Sequence, residues 1–125
     1  MELLNLFRQT EDKKTFAAGE TIFSAGDVGA MMYVVLEGEV EVSLHGAPIE
    51  TIEPGAIFGE LSLVDQSLRS ATAIAKTDCV LAPINERRFL FLVQETPYFA
   101  LHVMSIMAER LRRRTQEAVA ARKPL

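Results

Sequence analysis

The sequence is poor in several residue types whose absence restricts the fold and the chemistry. Its 125 residues include one cysteine, Cys79, and no tryptophan. A single cysteine excludes an intramolecular disulfide and is typical of proteins from reducing compartments. We therefore predict a cytoplasmic protein in which Cys79 is a small apolar residue of a strand.

Histidine is also scarce, which argues against metal-dependent catalysis. The two histidines are His45, in a predicted turn, and His102, in a predicted helix. Metal enzymes with glycine-rich β folds hold the ion with clustered histidines and a carboxylate. No His-x-His or Cys-x-x-Cys motif is present, and no serine lies in a nucleophile-elbow context. We predict that the protein is not an enzyme and uses no metal or other cofactor.

Long apolar runs and an excess of positive charge are absent too. No run approaches the ~20 residues of a membrane-spanning helix, and the N-terminus lacks the features of a signal peptide. The formal net charge of −4 argues against a general nucleic-acid-binding surface. We predict one globular domain without a membrane partner, long enough to bury about two-thirds of its extended surface.

Glycine is abundant, but only in one part of the chain. All seven glycines lie between Gly19 and Gly59. Tight turns concentrated in one region are typical of a sandwich or barrel of short strands. Within this region the segment 39–44 alternates, which predicts that Val40, Val42 and Leu44 share one face of a strand. The HGAP sequence that follows predicts a hairpin turn.

Near both ends of the chain, the apolar residues have the spacing of helices and not that of strands. Residues 1–8 predict a short amphipathic helix, and residues 85–95 predict another helix. Thr96 and Pro97 predict the N-cap and first turn of a longer helix.

The longer helix carries a heptad stripe with one charged member. Two interpretations stay open: the stripe packs on the β-rich body, or it pairs two copies of the helix in a homodimer. The two can also share the stripe, with its first half on the core and its second half pairing. Its members are Ala100, Met104, Met107, Leu111, Arg114, Ala118 and Ala121.

The segment 58–73, FGELSLVDQSLRSATA, contains two charged residues in an otherwise largely apolar run. Glu60 and Arg69 are of types that proteins seldom bury unpaired. A helix that begins after Gly59 presents N–H groups that suit a phosphate. Glu60 can accept a hydrogen bond from a sugar hydroxyl, and Arg69, which we expect at a loop-like edge, can bind a phosphate with two N–H groups. On these residues alone, a ligand site and a structural salt bridge remain equally good interpretations.

Two long stretches, residues 19–42 and 53–84, closely resemble the cyclic nucleotide-binding domain family, above all in the cassette motif FGEL…RSAT. The resemblance implies a mainly β fold: an eight-stranded jelly-roll β-sandwich with a short N-terminal helix, a cassette helix and two C-terminal helices. It implies a single domain, 1–125. The expected divisions are an N-terminal helix region at 1–14, a β-roll at 15–84 with the phosphate-binding cassette at 58–72, and C-terminal helices at 85–122.

The resemblance also implies roles for individual residues. Glu60 would bind the ribose 2′-hydroxyl, Arg69 would bind the cyclic phosphate, and Gly59 and Leu61 would offer backbone contacts. The implied ligand-binding set is completed by Ser62, Ser70 and Ala71. In the last helix, Arg110, Arg114 and Thr115 are candidates for contacts with the base or for lid residues.

The residues before Arg69 depart from the family pattern. Many members have a Gly-Thr-Pro-like stretch there, whereas this chain has Gln66, Ser67 and Leu68. This difference predicts a looser turn.

The resulting hypothesis is a stand-alone signalling receptor or regulatory subunit that binds a 3′,5′-cyclic nucleotide, with cAMP favoured over cGMP, and moves its C-terminal helices. Its expected partners are an unidentified effector protein and a second copy of the chain. The alternatives are a ligand-free interaction module of the same fold and a DNA-associated regulator. Direct DNA binding is not expected, because the basic run 112–114 is not followed by a recognition helix.

Overall fold

The computed structural model describes residues 3–7 and 9–121, which form a short helix, a β-rich body and two C-terminal helices. In chain order the elements are α1 (Leu3–Phe7), β1 (Lys14–Phe16), β2 (Thr21–Phe23), β3 (Met31–Glu37), β4 (Val40–Leu44), β5 (Ala47–Ile52), β6 (Ile57–Phe58), α2 (Glu60–Asp65), β7 (Thr72–Ala75), β8 (Cys79–Asn85), α3 (Glu86–Glu95) and α4 (Tyr98–Ala120). The predicted mainly β fold with flanking helices is confirmed. The chain divides into two compact units, one up to Phe89 and the other from Leu90 onward.

The first unit contains two four-stranded antiparallel sheets, in the orders β1-β8-β3-β6 and β2-β7-β4-β5. Strand β3 lies between β8 and β6, and its residues 32–35 are all buried. Burial on both faces explains why this strand is a continuous apolar run rather than an alternating one. The core cluster draws on both sheets and consists of Tyr33, Val35, Val40, Ile52, Phe58, Ala73, Ala75, Cys79 and Leu81. The prediction for Cys79 is therefore confirmed.

The hairpin between β4 and β5 forms where the sequence predicted it. His45 and Gly46 both have positive φ, 52° and 80°, as a two-residue type I′ turn requires. Burial in β4 departs from the predicted pattern at the end of the strand, where Ser43 is buried and Leu44 is 39% exposed. The register with β5 shifts between Val42 and Ser43, with the extra residue in β5, while the pairing of β4 with β7 is continuous.

The predicted N-terminal helix is present as α1, and residues 1, 2 and 8 of the predicted segment lie outside the described residues. Leu3 and Phe7 are buried. Arg88 links α1 to the start of α3: its Cζ lies 5.6 Å from the Phe7 ring centroid, and its Nη2 donates to Thr10 Oγ1 at 3.2 Å.

In the second unit, α4 begins differently from the prediction. The helix starts at Tyr98 with Pro97 in the N-cap position, and no side chain makes a capping hydrogen bond. The carbonyl of Thr96, not its hydroxyl, accepts the N–H of Phe99 at 2.8 Å. The predicted Thr96 cap is therefore wrong, because Pro97 already has helical φ and ψ and the turn closes through the backbone.

The buried residues of α4 are Phe99 and Val103, which do not belong to the predicted stripe. Of the stripe, Ala100 and Met107 are half-buried, and the other members are exposed. Among the described residues no single helix is long and apolar enough to cross a membrane. Helices α3 and α4 meet that test only when they are taken together, and they are bent by 118°.

Candidate ligand-binding site

Gly59 joins β6 to the cassette helix α2 in a conformation that requires glycine. Its φ of 76° lies in the left-handed region. A Cβ atom at this position would lie 2.8 Å from Arg69 Nη1 and 3.3 Å from the carbonyl oxygen of Met31. Any side chain would therefore strain the backbone and also displace the arginine.

The backbone of Arg69 is paired with the loop that follows β2. Its N–H donates to the carbonyl of Asp27 at 2.8 Å, and its carbonyl accepts the N–H of Gly26 at 2.8 Å. The preceding residue, Leu68, forms an antiparallel bridge with Val28. These contacts hold the arginine between two segments that are distant in the sequence.

The side chain of Arg69 is buried, with 6% of the residue exposed. Nη1 donates to the carbonyl of Gly59 at 2.9 Å, and Nη2 donates to the carbonyl of Met31 at 2.6 Å. The Cζ atom lies 4.0 Å from the centroid of the Phe23 ring. The expectation of a loop-like edge is wrong, because tertiary contacts from β2, β3 and the α2 start enclose this side chain.

Glycine at position 29 is part of the same packing. A Cβ atom there would overlap the Nε and Cζ atoms of Arg69. The β2–β3 loop therefore leaves room for the guanidinium only because Gly29 has no side chain.

Burial lowers the pKa of Arg69, while Tyr33, Asp27 and Glu60 act in the opposite direction. Arginine titrates so far above neutrality that the guanidinium stays charged. Glu60, the first residue of α2, is itself only 4% exposed. The site therefore holds a buried positive group and a buried carboxyl group next to a glycine.

The remaining predicted cassette residues differ in their exposure. Ser62 and Ala71 are buried, whereas Leu61 and Ser70 are exposed. The structure therefore brings Gly59 and Arg69 into contact, with Glu60 directly adjacent in the chain, and leaves the hydroxyl-bearing Ser70 at the surface.

The turn between α2 and Arg69 is closed by a local hydrogen bond. Gln66 has a left-handed conformation, with a φ of 58°, and the N–H of Ser67 donates to Asp65 Oδ1 at 2.9 Å. Hydrogen bonds from Ser67 lower the pKa of Asp65. An Asp side chain that accepts from the backbone two residues later is a common turn restraint, and the looser turn stays a prediction.

The three candidates for base or lid contacts lie on α4, in the second unit. Arg110 is half-buried, and Arg114 and Thr115 are exposed. The Thr115 hydroxyl donates to the carbonyl of Leu111 at 2.9 Å. Their contact with a ligand stays a prediction.

The sequence assigned no role to Phe23, to Gly29 or to the carbonyl of Met31, which all contribute to the site. The available signal was weak, namely one aromatic residue between Phe16 and Tyr33, followed by two glycines. Among the described residues, no group of three or more histidine, cysteine, aspartate or glutamate side chains is placed to hold a metal ion.

Comparison with known proteins shows the family to which the chain belongs. A family model described as the cyclic nucleotide-binding domain matches residues 13–96. The chain is 33% identical over 105 residues to the cyclic AMP receptor protein of Thermus thermophilus, covering 80% of this chain and 49% of that protein. It is 38% identical over 78 residues to a cAMP-dependent protein kinase regulatory subunit of Eremothecium gossypii, covering 62% of this chain and 17% of that protein.

Among solved structures, the catabolite activator protein of Thermus thermophilus has a TM-score of 0.79 at 31% identity. The match covers 87% of this chain and 54% of that one, so the chain spans about half the length of this relative. The family match extends over more than half of the chain and includes the whole cassette. The protein described here belongs to the cyclic nucleotide-binding domain family.

Proposed function

We propose that this protein binds a 3′,5′-cyclic nucleotide at the cassette through Glu60 and Arg69, and that occupancy is relayed by its C-terminal helices. The observation that carries the proposal is the buried guanidinium of Arg69. It donates hydrogen bonds to the carbonyls of Gly59 and Met31, and the buried Glu60 follows Gly59 in the chain. Buried, perturbed charged groups are concentrated at functional sites, and structural ion-pair networks produce them as well.

Arg69 would bind the cyclic phosphate. Arginine carries more N–H donors than the two bonds to Gly59 and Met31 use, and charge-assisted bonds to phosphate are strong. Glu60 would accept the ribose 2′-hydroxyl, and the backbone of Gly59 and Leu61 would contact the ligand alongside Ser62, Ser70 and Ala71. The opposite charges of the two residues match a ligand that presents both an anion and a hydroxyl donor.

We favour cAMP over cGMP. The two relatives described above are named for cyclic AMP or for dependence on it. Ser70 is exposed beside Arg69, where a hydroxyl can meet either ligand, so this residue does not discriminate between the bases.

The relay would use α4, with a second copy of the chain as partner. Met104, Leu111 and Ala118 are seven residues apart and all exposed, which suits pairing of two helices. Arg110, Arg114 or Thr115 would then cover the base in the bound state. An unchanged nucleotide affinity in Arg114→Ala would remove Arg114 from this role.

Calorimetric titration with cAMP and with cGMP tests the proposal. We expect a dissociation constant of roughly micromolar, about −8 kcal/mol, with cAMP bound more tightly. The absence of heat and of thermal stabilisation at millimolar nucleotide would overturn the proposal and would favour a ligand-free interaction module of the same fold.

Size-exclusion chromatography with light scattering, with and without nucleotide, tests the homodimer. Co-purification under the same two conditions would identify an effector protein.

A further inference from the structure

We propose that Phe23 is a positioning residue whose aromatic ring holds the Arg69 guanidinium for the incoming phosphate. This inference rests on the proposed binding of a cyclic nucleotide at the cassette. Under this inference, position 23 requires an aromatic ring, and an apolar side chain of similar volume is not sufficient.

The first support is the position of the ring relative to the guanidinium. Arg69 Cζ lies 4.0 Å from the Phe23 ring centroid, well inside the ~6 Å range of cation–π contacts. The Gly59 and Met31 carbonyls accept hydrogen bonds from Nη1 and Nη2. The ring contact at Cζ and these two hydrogen bonds together restrain the position of the guanidinium.

The second support is that the ring is itself held in place. Its centroid is 5.9 Å from that of Phe58 and 6.4 Å from that of Tyr33, and the Tyr33 and Phe58 rings stack at 5.2 Å. Tyr33 and Phe58 are buried members of the core cluster. The guanidinium therefore rests on an aromatic group that continues into the sandwich core.

The consequence for binding is preorganisation. A long side chain that is already ordered loses less conformational freedom when a ligand binds. A leucine at position 23 would retain apolar volume but offers neither a flat face nor a ring quadrupole. We therefore expect Phe23→Leu to weaken cyclic nucleotide binding by about five- to tenfold.

The chain offers a matched control in Phe16. This residue is also partly buried and packs against the same core cluster. The guanidinium of Arg69, by contrast, lies over the ring of Phe23. Phe16→Leu makes the same substitution in the same core and should lower the melting temperature without changing nucleotide affinity. Phe23→Tyr keeps the ring and should retain binding within about twofold of the unaltered protein.

The experiment measures cAMP and cGMP affinity by calorimetry for the unaltered protein, Phe23→Leu, Phe23→Tyr and Phe16→Leu. Weaker binding confined to Phe23→Leu supports the inference. Equal affinities of Phe23→Leu and the unaltered protein, or equal losses in the two leucine variants, overturn it. If the unaltered protein binds neither nucleotide, the proposed function itself fails, which is a distinguishable result.

A measurement without ligand keeps the inference testable if Phe23→Leu does not fold. The NMR signal of the Arg69 Nε–H group should show a ring-current shift in the unaltered protein and in Phe23→Tyr. An Arg69 signal without that shift in the unaltered protein would overturn the inference.

Discussion

The cassette and the C-terminal half of α4 both contain arginines, but these arginines differ in burial and in contacts. Arg69 is buried, bonded to two carbonyls and stacked on a ring. On α4, Arg112 and Arg113 are exposed, and Arg113 makes a 3.9 Å ion pair with Glu109 one turn away. Exposed pairs of this kind contribute about 0.3–0.5 kcal/mol. Three consecutive arginines on a helix thus remain at the surface, whereas the single arginine of the cassette is enclosed by tertiary contacts.

The largest expected effect comes from Arg69→Ala. We expect at least a tenfold loss of nucleotide affinity. We also expect a loss of stability, because the carbonyls of Gly59 and Met31 lose their donor at a cost of about 1–3 kcal/mol each. Calorimetry and urea unfolding measure the two quantities.

Arg112→Ala on α4 is the control for that substitution. It should change the free energy of unfolding by less than about 0.5 kcal/mol and leave affinity unchanged. Equal effects of the two substitutions would remove the distinction between the cassette and α4. A loss of stability in Arg69→Ala without any loss of affinity would favour a purely structural arginine.

Gly59→Ala should produce the next largest effect. The left-handed backbone costs about 1–2 kcal/mol for a residue with a Cβ, and the added methyl group would also displace Arg69. We expect lower stability together with weaker nucleotide binding. Gly46→Ala is the matched control, because Gly46 has a φ of 80° and a Cβ atom there would meet nothing within 4 Å. It should lower stability by the backbone cost alone, and so by less than Gly59→Ala, without altering affinity. Equal affinities in both variants would contradict a contact role for Gly59.

Leu111→Glu tests whether the exposed half of α4 is an interface. Leu111 is 68% exposed and lies on the heptad stripe. A buried charge at a helix pair should weaken a homodimer by more than about tenfold. Light scattering across a dilution series measures this. Gln116→Glu introduces the same charge at an exposed position off the stripe and should leave the dimer intact, so an equal effect would exclude pairing along the stripe.

The smallest expected effect concerns the turn between α2 and Arg69. Hydrogen bonds from Ser67 hold the pKa of Asp65 below its ordinary value of 3.8 in the folded protein. The folded state therefore favours the carboxylate, and the resulting stabilisation is present above pH 3.8 and lost as the pH falls through the lowered value. Asp65→Ala should destabilise the protein at about pH 7 more than at about pH 3. Urea unfolding at both pH values checks this, and an equal loss at both would contradict it. Ser67→Ala removes the hydroxyl and keeps the backbone bond, so its effect should be smaller.

Much of the fold and part of the site could be predicted from the sequence. The glycine distribution predicted short strands, HGAP predicted the hairpin, and the cassette motif brought Gly59 and Arg69, which the structure places in contact, into one predicted site. These features are local in the chain or belong to a family pattern. The exposure of Leu44, the capping of α4 and the burial of Arg69 were mispredicted, because each depends on packing or backbone contacts that the local pattern does not specify.

The sequence by itself determined which residues carry charge in the cassette, where the turns lie and where helices replace strands. Only the tertiary structure decided how the site is built. The carbonyl that receives Arg69 Nη2 belongs to Met31, 38 positions earlier, and the ring beneath the guanidinium belongs to Phe23, earlier still. No local periodicity encodes such contacts, because they arise when two sheets fold together and bring β2, β3 and the cassette to one place.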